Sequence, residues 1–511
     1  MVAQPGARDN AGAQSCGVRG DAEERDAGQP HDGVMWRGVA LSDVLKTNER
    51  LDASAHDARA RLARETVSGC RWGSVPLCGD GGLATAYVCG RFKRVWLGAS
   101  DLPIYQPSSI MDVRPEPCGY LSSATKADLG ALRVREGQVL LTCSGTVGNV
   151  AYASAALDGK IFSHDLIRID AKDAEDAGFI YAFLRSGIGG TMLRTNSYGA
   201  VIRHIEPEHL AGVPVPDLPD GVRREISGLV RRSFASRDKS NALLDEADAV
   251  LASSLALPPV AQGADAAWPD GAGRAAVSAT EADCFCVRLS DLDGRLDGSY
   301  HAPAVTAVAG HLRAHAAEVT AVGDGRVSKA VTMPGRFKRI YVGEGQGRVF
   351  IGSKQIHELD PSDKKYLSLA RHGDRIKKQL ELRENMTLVT CSGTIGKAAL
   401  VPRHWDGWAA SQHIIRIVPA NDGIAGYIYA FLATGVGRAL AARSAYGSVV
   451  DEIDARTVAG MPFPFLKNAA DQARVNSLAL EANELRYQAY KLERAAMEAI
   501  ALIFQCSLHY G

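Results

Sequence analysis

The sequence predicts an α+β fold. Two mixed α/β halves stand in tandem, each followed by a long helix, and the two helices pair as an antiparallel coiled-coil spacer. Three observations predict this. The chain repeats itself, each repeat mixes short β-rich runs with inserted helical segments, and each ends in a long helical stretch.

The duplication is the strongest signal, and internal repeats set the architecture before any single element does. Arg50-Leu51-Asp52 recurs as Arg295-Leu296-Asp297, and Arg91-Phe92-Lys93-Arg94 as Arg336-Phe337-Lys338-Arg339. Thr142-Cys143-Ser144-Gly145-Thr146-Val147-Gly148 recurs as Thr390-Cys391-Ser392-Gly393-Thr394-Ile395-Gly396. Tyr181-Ala182-Phe183-Leu184 matches Tyr429-Ala430-Phe431-Leu432, Tyr198-Gly199 matches Tyr446-Gly447, and Pro214-Val215-Pro216 matches Pro462-Phe463-Pro464. Arg91 and Arg336 are 245 apart, whereas Ser144 and Ser392 are 248 apart. A net three-residue change therefore lies between these blocks, at 97–135 and 342–383, where the copies also diverge most.

The repeat divides the chain into a disordered tail over 1–33, a first globular part over 34–218 and its helix over 219–257. A linker rich in Ala, Gly and Pro over 258–284 follows, then a second globular part over 285–466 and its helix over 467–511. Strands are expected at 139–143, 166–169 and 414–418, and a helix at 178–184. The second long helix has an apolar seam at Ala482, Leu485, Ala489, Leu492, Ala496, Ala499 and Ile503, with 3-4-3-4 spacing. The first is less regular, with Ile226, Val230, Leu244, Ala247, Leu251 and Leu255.

Composition narrows the function classes. The 511 residues are 46% hydrophobic and 23% charged, with a formal net charge of zero. A dedicated non-specific nucleic-acid binder is usually more basic, so any DNA contact must be local or shared with partners. No run of about 18 apolar residues and no apolar leader occurs, so neither a membrane span nor a signal peptide is expected, and a cytoplasmic location follows. The ten cysteines form no CxxC pair, which points to buried reduced thiols. No metal site and no cofactor is expected.

The Ser-Gly-Thr-(Val/Ile)-Gly turn, the Pro-x-Pro exit, the long helix after each exit and the duplication itself resemble the specificity subunit of type I restriction–modification systems. The resemblance covers nearly the whole chain from about residue 34. It implies that each globular part is a target recognition domain reading one half of a split double-stranded DNA site. It implies that the paired helices hold the domains apart and dock adenine DNA methyltransferase subunits, two of them, with a restriction or translocase subunit as a further partner. The Arg-Leu-Asp segment that opens each copy also resembles specificity proteins of related phage-defence systems.

The candidate DNA contacts follow from residue chemistry. Arg91, Lys93 and Arg94 form a basic cluster, and Arg336, Lys338 and Arg339 form its twin; cationic ends suit phosphates and Arg forks suit guanine. The alternative is a solvated face, with Phe92 and Phe337 as core anchors. Ser144 and Thr146, with Ser392 and Thr394, flank glycines that let a backbone approach a phosphate; the alternative is a tight structural turn. Asn149 and Lys397 follow those turns. Tyr198, Arg203 and His204 fall on one candidate DNA face, with Tyr446 as the second copy's tyrosine. Asp451 and Glu452 near Tyr446 argue against strict equivalence of the two copies, or for reading of a cytosine amino group.

Catalytic signatures are missing. There is no Asn/Asp-Pro-Pro-Tyr/Phe motif, no Glu-x-Lys of a metal-dependent nuclease, no GxxxxGK[ST] and no Gly-x-Ser-x-Gly. The sequence thus reads as a non-catalytic DNA-recognition subunit. Against it stand a scaffold that joins partner proteins without reading DNA, and an enzyme with an unfamiliar site.

Overall fold

The computed structural model describes residues 38–46, 56–195, 203–257, 286–292, 294–298, 300–301, 303–446 and 451–505. The 1–33 tail, the whole 258–284 linker, Tyr198 and Gly199 lie outside them. Residues 1–56 form a unit of their own, whose described helix is Leu41–Lys46; residues 57–511 form the other.

The larger unit is α+β, and one sheet topology occurs in it twice. Ser74–Pro76 pairs with Pro214–Pro216, as Glu318–Ala321 pairs with Pro462–Phe465. One four-stranded sheet runs Ala84–Val88, Leu166–Ala171, Val139–Thr142, Val150–Tyr152; its twin runs Ser328–Thr332, Ile414–Pro419, Thr387–Thr390, Ala398–Leu400. A second runs Trp96–Leu97, Gly119–Leu121, Pro103–Tyr105, Ile161–Phe162; its twin runs Tyr341–Val342, Lys365–Ser368, Gly347–Ile351, Ala409–Ala410. The last pair of strands in each second sheet is parallel, and the other neighbours are antiparallel.

The central strands read as unbroken apolar runs because both their faces are covered. Val139 and Leu141 pack toward helix Ala177–Arg185, while Leu140 packs with Tyr105 and Phe162 of the second sheet. Each copy also buries one arginine that sequence inspection passes over. Arg168 donates to the carbonyls of Leu132 and Phe162 at 3.0 and 3.3 Å, and Arg416 donates to those of Leu380 and Ala410. Burial pushes both guanidiniums below their usual range, to about 10 for Arg416. Their role is to satisfy carbonyls that the junction between the two sheets would otherwise orphan.

The long helices are Asp220–Ser254 and Ala469–Gln505, of 35 and 37 residues. At about 1.5 Å per residue the first is roughly 52 Å long. They lie side by side in opposite directions, with Ser254 Oγ on Asp471 at 3.1 Å, Arg474 on Glu246 at 2.7 Å and Ser233 Oγ on the Ala489 carbonyl at 2.8 Å. The buried stripe of the second helix departs from the expected seam. Ala482, Ala489, Ala496 and Ile503 are buried as expected, but Glu493 and Ile500 replace Leu492 and Ala499, which are only half-buried, as is Leu485. The apolar pattern favoured Leu492 over its charged neighbour. The structure inverts that choice because Glu493 is neutralised: the Tyr181 hydroxyl and Arg237 reach its two oxygens, and Arg185 Nε lies 3.6 Å away.

Each half attaches to one end of this helix pair. Ile226, Val230 and Phe234 join Ala496, Ile500 and Phe504 in the first core, and Leu244, Ala247 and Leu251 join Val475, Leu478 and Ala482 in the second. The helices do not, however, keep the halves entirely apart. Loop residues 111–117 and 357–363 meet: Asp112 bridges Glu358, and the Val113 amide donates to the His357 carbonyl at 2.9 Å. Asp112 and Glu358 occupy equivalent repeat positions, as flanking Ile110/Ile356 and Pro115/Pro361 also do, all 246 apart. A pseudo-two-fold axis therefore passes between them. Sequence patterning cannot register a contact made only between copies.

Burial raises both carboxyls to about 7, and Asp112 adds to the shift at Glu358. A carboxyl whose folded pKa is raised favours the fold below its unfolded pKa near 4 and loses that contribution as pH rises toward 7. An Asp112→Asn variant is therefore expected to gain stability relative to the parent between pH 5 and pH 8, by on the order of 1–2 kcal/mol for this half-buried group. Urea titrations at both pH values measure it; a pH-independent difference would contradict it.

Candidate nucleic-acid interface

The Ser-Gly-Thr segments are turns in both copies. Gly145 and Gly393 have φ of 72° and 75°, and a Cβ on either would meet open space, so the backbone conformation alone selects glycine. The Gly145 amide donates to the Arg203 carbonyl and the Gly393 amide to that of Asp451, both at 3.1 Å. Ser144 bridges His204 and Ser392 bridges Glu452. The exposed Thr146 and Thr394 stand at the tips.

The basic segments come to the same place. Arg94 donates to Ser163 Oγ at 3.2 Å, and its equivalent Arg339 donates to Gln412 Oε1 at 2.7 Å, one position beyond the counterpart of Ser163. Cys391 precedes the second turn; its amide donates to the His413 carbonyl at 3.2 Å, and its sulfur lies 3.6 Å from that of Met333. Arg336 faces Glu452 at 3.4 Å, and the Tyr446 backbone bridges Glu452 too. Phe92 and Phe337 are half-buried against small apolar clusters, which makes them anchors. Arg94 and Arg339 are half-buried and tethered, whereas Arg91, Lys93, Arg336 and Lys338 are exposed. Each basic segment also borders a cleft. The first, about 350 Å³, is lined by Val88, Arg91, Phe92 and Lys126; the second, about 500 Å³, by Phe337, Arg371, His372 and Arg375.

Two of the candidate residues have partners in the opposite half. Lys397 Nζ lies 3.5 Å from Glu116 Oε2, and Asn149 Oδ1 accepts from Ser362 Oγ at 3.3 Å. Both side chains face the loop of the opposite half, because the turns' last residues point toward the pseudo-two-fold junction. The thiol expectation holds for Cys70, Cys78, Cys143 and Cys391, which are buried, but Cys118 and Cys286 are exposed.

Charge sets these surfaces apart from the rest of the chain. Residues 84–135 hold seven Lys/Arg against four Asp/Glu, and residues 329–383 hold thirteen against six. These segments carry +3 and +7 in a chain of net zero, so the remaining residues carry −10. Lys126, Arg371, Lys377 and Lys378 are exposed members of this surplus. Sequence inspection missed them because they do not recur between copies; a segment-by-segment charge count would have found them. Among the described residues no cluster of three or more His, Cys, Asp or Glu could hold a metal, and no single helix is long and apolar enough to cross a membrane.

No family model and no curated protein matches the chain. Solved structures do. One is the type I restriction–modification system S subunit from M. genitalium, at 10% identity and a TM-score of 0.33, covering 84% of this chain and 98% of that one. The HsdS subunit from Thermoanaerobacter tengcongensis has 14% identity and a TM-score of 0.25, covering 83% and 96%. A chain from a study of complex assembly and conformational transition of the type I R-M system has 14% identity and a TM-score of 0.26, covering 82% and 97%.

Proposed function

We propose that this chain is a DNA specificity subunit of a type I-like restriction–modification or related phage-defence complex, with one reader in each half. The observation that carries it is the doubled topology bearing two unequal, positively charged inserts. A shared frame with different surfaces suits an asymmetric two-part site, whereas a symmetric dimer would read a palindrome. The two cores hold the first helix around Val230 and Leu251, roughly 30 Å apart at 1.5 Å per residue, on the order of 9 base pairs of duplex. Helix pairing as a coiled-coil spacer and docking of two adenine methyltransferase subunits follow from the motif resemblance, and a restriction or translocase subunit would complete the assembly. Catalysis belongs to those partners.

Host methylome sequencing with and without the gene tests the reading. Loss of one bipartite methylated motif is the expected result, and an unchanged methylome would sink it. The inserts should also govern salt dependence. Replacing Lys338, Lys377 and Lys378 by Gln is expected to weaken binding across sequences alike. It should lower the log–log salt slope by about one for each phosphate no longer neutralised. Fluorescence anisotropy of duplex binding across a salt series measures this.

A further inference from the structure

We infer that Val88, Val95 and Trp96 in the first half, and Met333, Ile340 and Tyr341 in the second, are the side chains that read base edges. The inference rests on the proposed DNA-reading function and goes on to say which positions read. Single exposed apolar residues need no explanation. These six are exposed in register: each pair is 245 apart, the offset of the Arg-Phe-Lys-Arg frame between them. The frame residues are identical in the two copies, while the exposed apolar residues differ at all three positions. A merely structural position would keep its side chain or bury it; here both copies leave it open and change it.

The placement suits a duplex. Trp96 and Tyr341 begin short edge strands, each paired on one side only. They remain 48% and 41% exposed, yet both are held. Trp96 lies over Gly119, where a Cβ would come within 2.8 Å of its ring, and the Arg94 guanidinium is 5.9 Å from it. Tyr341 has Lys365 Nζ at 5.6 Å and Phe350 at 6.2 Å. The exposed cations Arg91 and Lys93, and Arg336 and Lys338, flank the two sets. Cations beside a fixed apolar edge match a phosphate backbone beside the thymine 5-methyl, the apolar group that the major groove displays.

The test is selection from a random duplex library with the full chain, followed by thymine-to-uracil substitution in the selected site. The parent should select a two-part motif. Trp96→Ala should flatten one half and Tyr341→Ala the other. Removing a contacted 5-methyl should weaken the parent about four-fold, the equivalent of one buried CH₂, and leave the matching variant unaffected. Val95→Thr and Ile340→Thr repeat the comparison without disturbing the aromatic packing. A two-part motif unchanged in all four variants, or flattened in both halves by each, would overturn the assignment while leaving two-part reading intact. A parent that selects no motif would instead remove the proposed function itself.

Discussion

Glu493→Ala is expected to destabilise the chain by about 3–5 kcal/mol, the loss that follows when one partner of a buried ion pair is removed. Glu493 is buried in the seam of the helix pair and takes the Tyr181 hydroxyl on one oxygen and Arg237 on the other, with Arg185 at 3.6 Å. Arg185 also donates to the Asp360 carbonyl at 3.0 Å. One carboxylate thus ties the first core, both long helices and the second half's loop together. Its loss leaves two guanidiniums in a dry site. Burial alone would raise the Glu493 carboxyl, but Arg237 and Arg185 outweigh it and hold the group below the usual carboxylate range. The stability it adds is therefore present above its unfolded pKa near 4 and fades as the medium is acidified through the folded value. Urea unfolding should show a large loss at pH 7 that narrows toward low pH. A triple variant with Glu493→Leu, Arg237→Leu and Arg185→Met should recover most of it, since apolar replacement of a complete buried network is often neutral. A loss below about 1 kcal/mol at pH 7 would mean that the charges are solvated after all.

Much of the frame was legible because the repeat names it twice. Strands expected at 139–143, 166–169 and 414–418 appear as Val139–Thr142, Leu166–Ala171 and Ile414–Pro419, since unbroken apolar runs bounded by turn residues admit few other structures. Glu493 was not legible: a charge beside Leu492 reads as surface until its three partners, far away in sequence, are known. The contact of Asp112 with Glu358 was hidden for a related reason, because it joins two copies rather than two elements of one. At the candidate interface, recurrence exposed the shared arginines and turns. It concealed the cations that differ between copies, Lys126 against Arg371, Lys377 and Lys378, although those divergent residues carry much of the charge surplus. A repeat reveals the frame and masks what was varied upon it.

Gly426→Val is expected to destabilise by about 3 kcal/mol, and Gly178→Val by a similar amount. At Gly426 a Cβ would come within 2.4 Å of the Asn476 carbonyl oxygen, and at Gly178 within 2.6 Å of Ser227 Cα. Both obstacles are backbone of a long helix, so a short helix must lift off to make room. Lifting also breaks the local bonds: Asn476 Oδ1 accepts from the Gly426 and Tyr427 amides at 2.8 and 3.2 Å, and Ser227 Oγ accepts from the Phe179 amide at 2.8 Å. Gly373→Ala is the control, because nothing lies near its Cβ direction and a helical Ala is favoured over Gly by about 0.5–1 kcal/mol. The double variant is more informative than either single one. The two crossings belong to separate cores at opposite ends of the helix pair, so independent halves should give losses that add within about 0.5 kcal/mol. A shortfall or excess larger than that would show that strain at one crossing reaches the other. The route available to it runs through the Glu493 network and the Asp112–Glu358 bridge, which join one half to the other. Additivity in the parent background, and its persistence or loss in Glu493→Ala, would therefore measure how rigidly the spacing of the two halves is built into this chain.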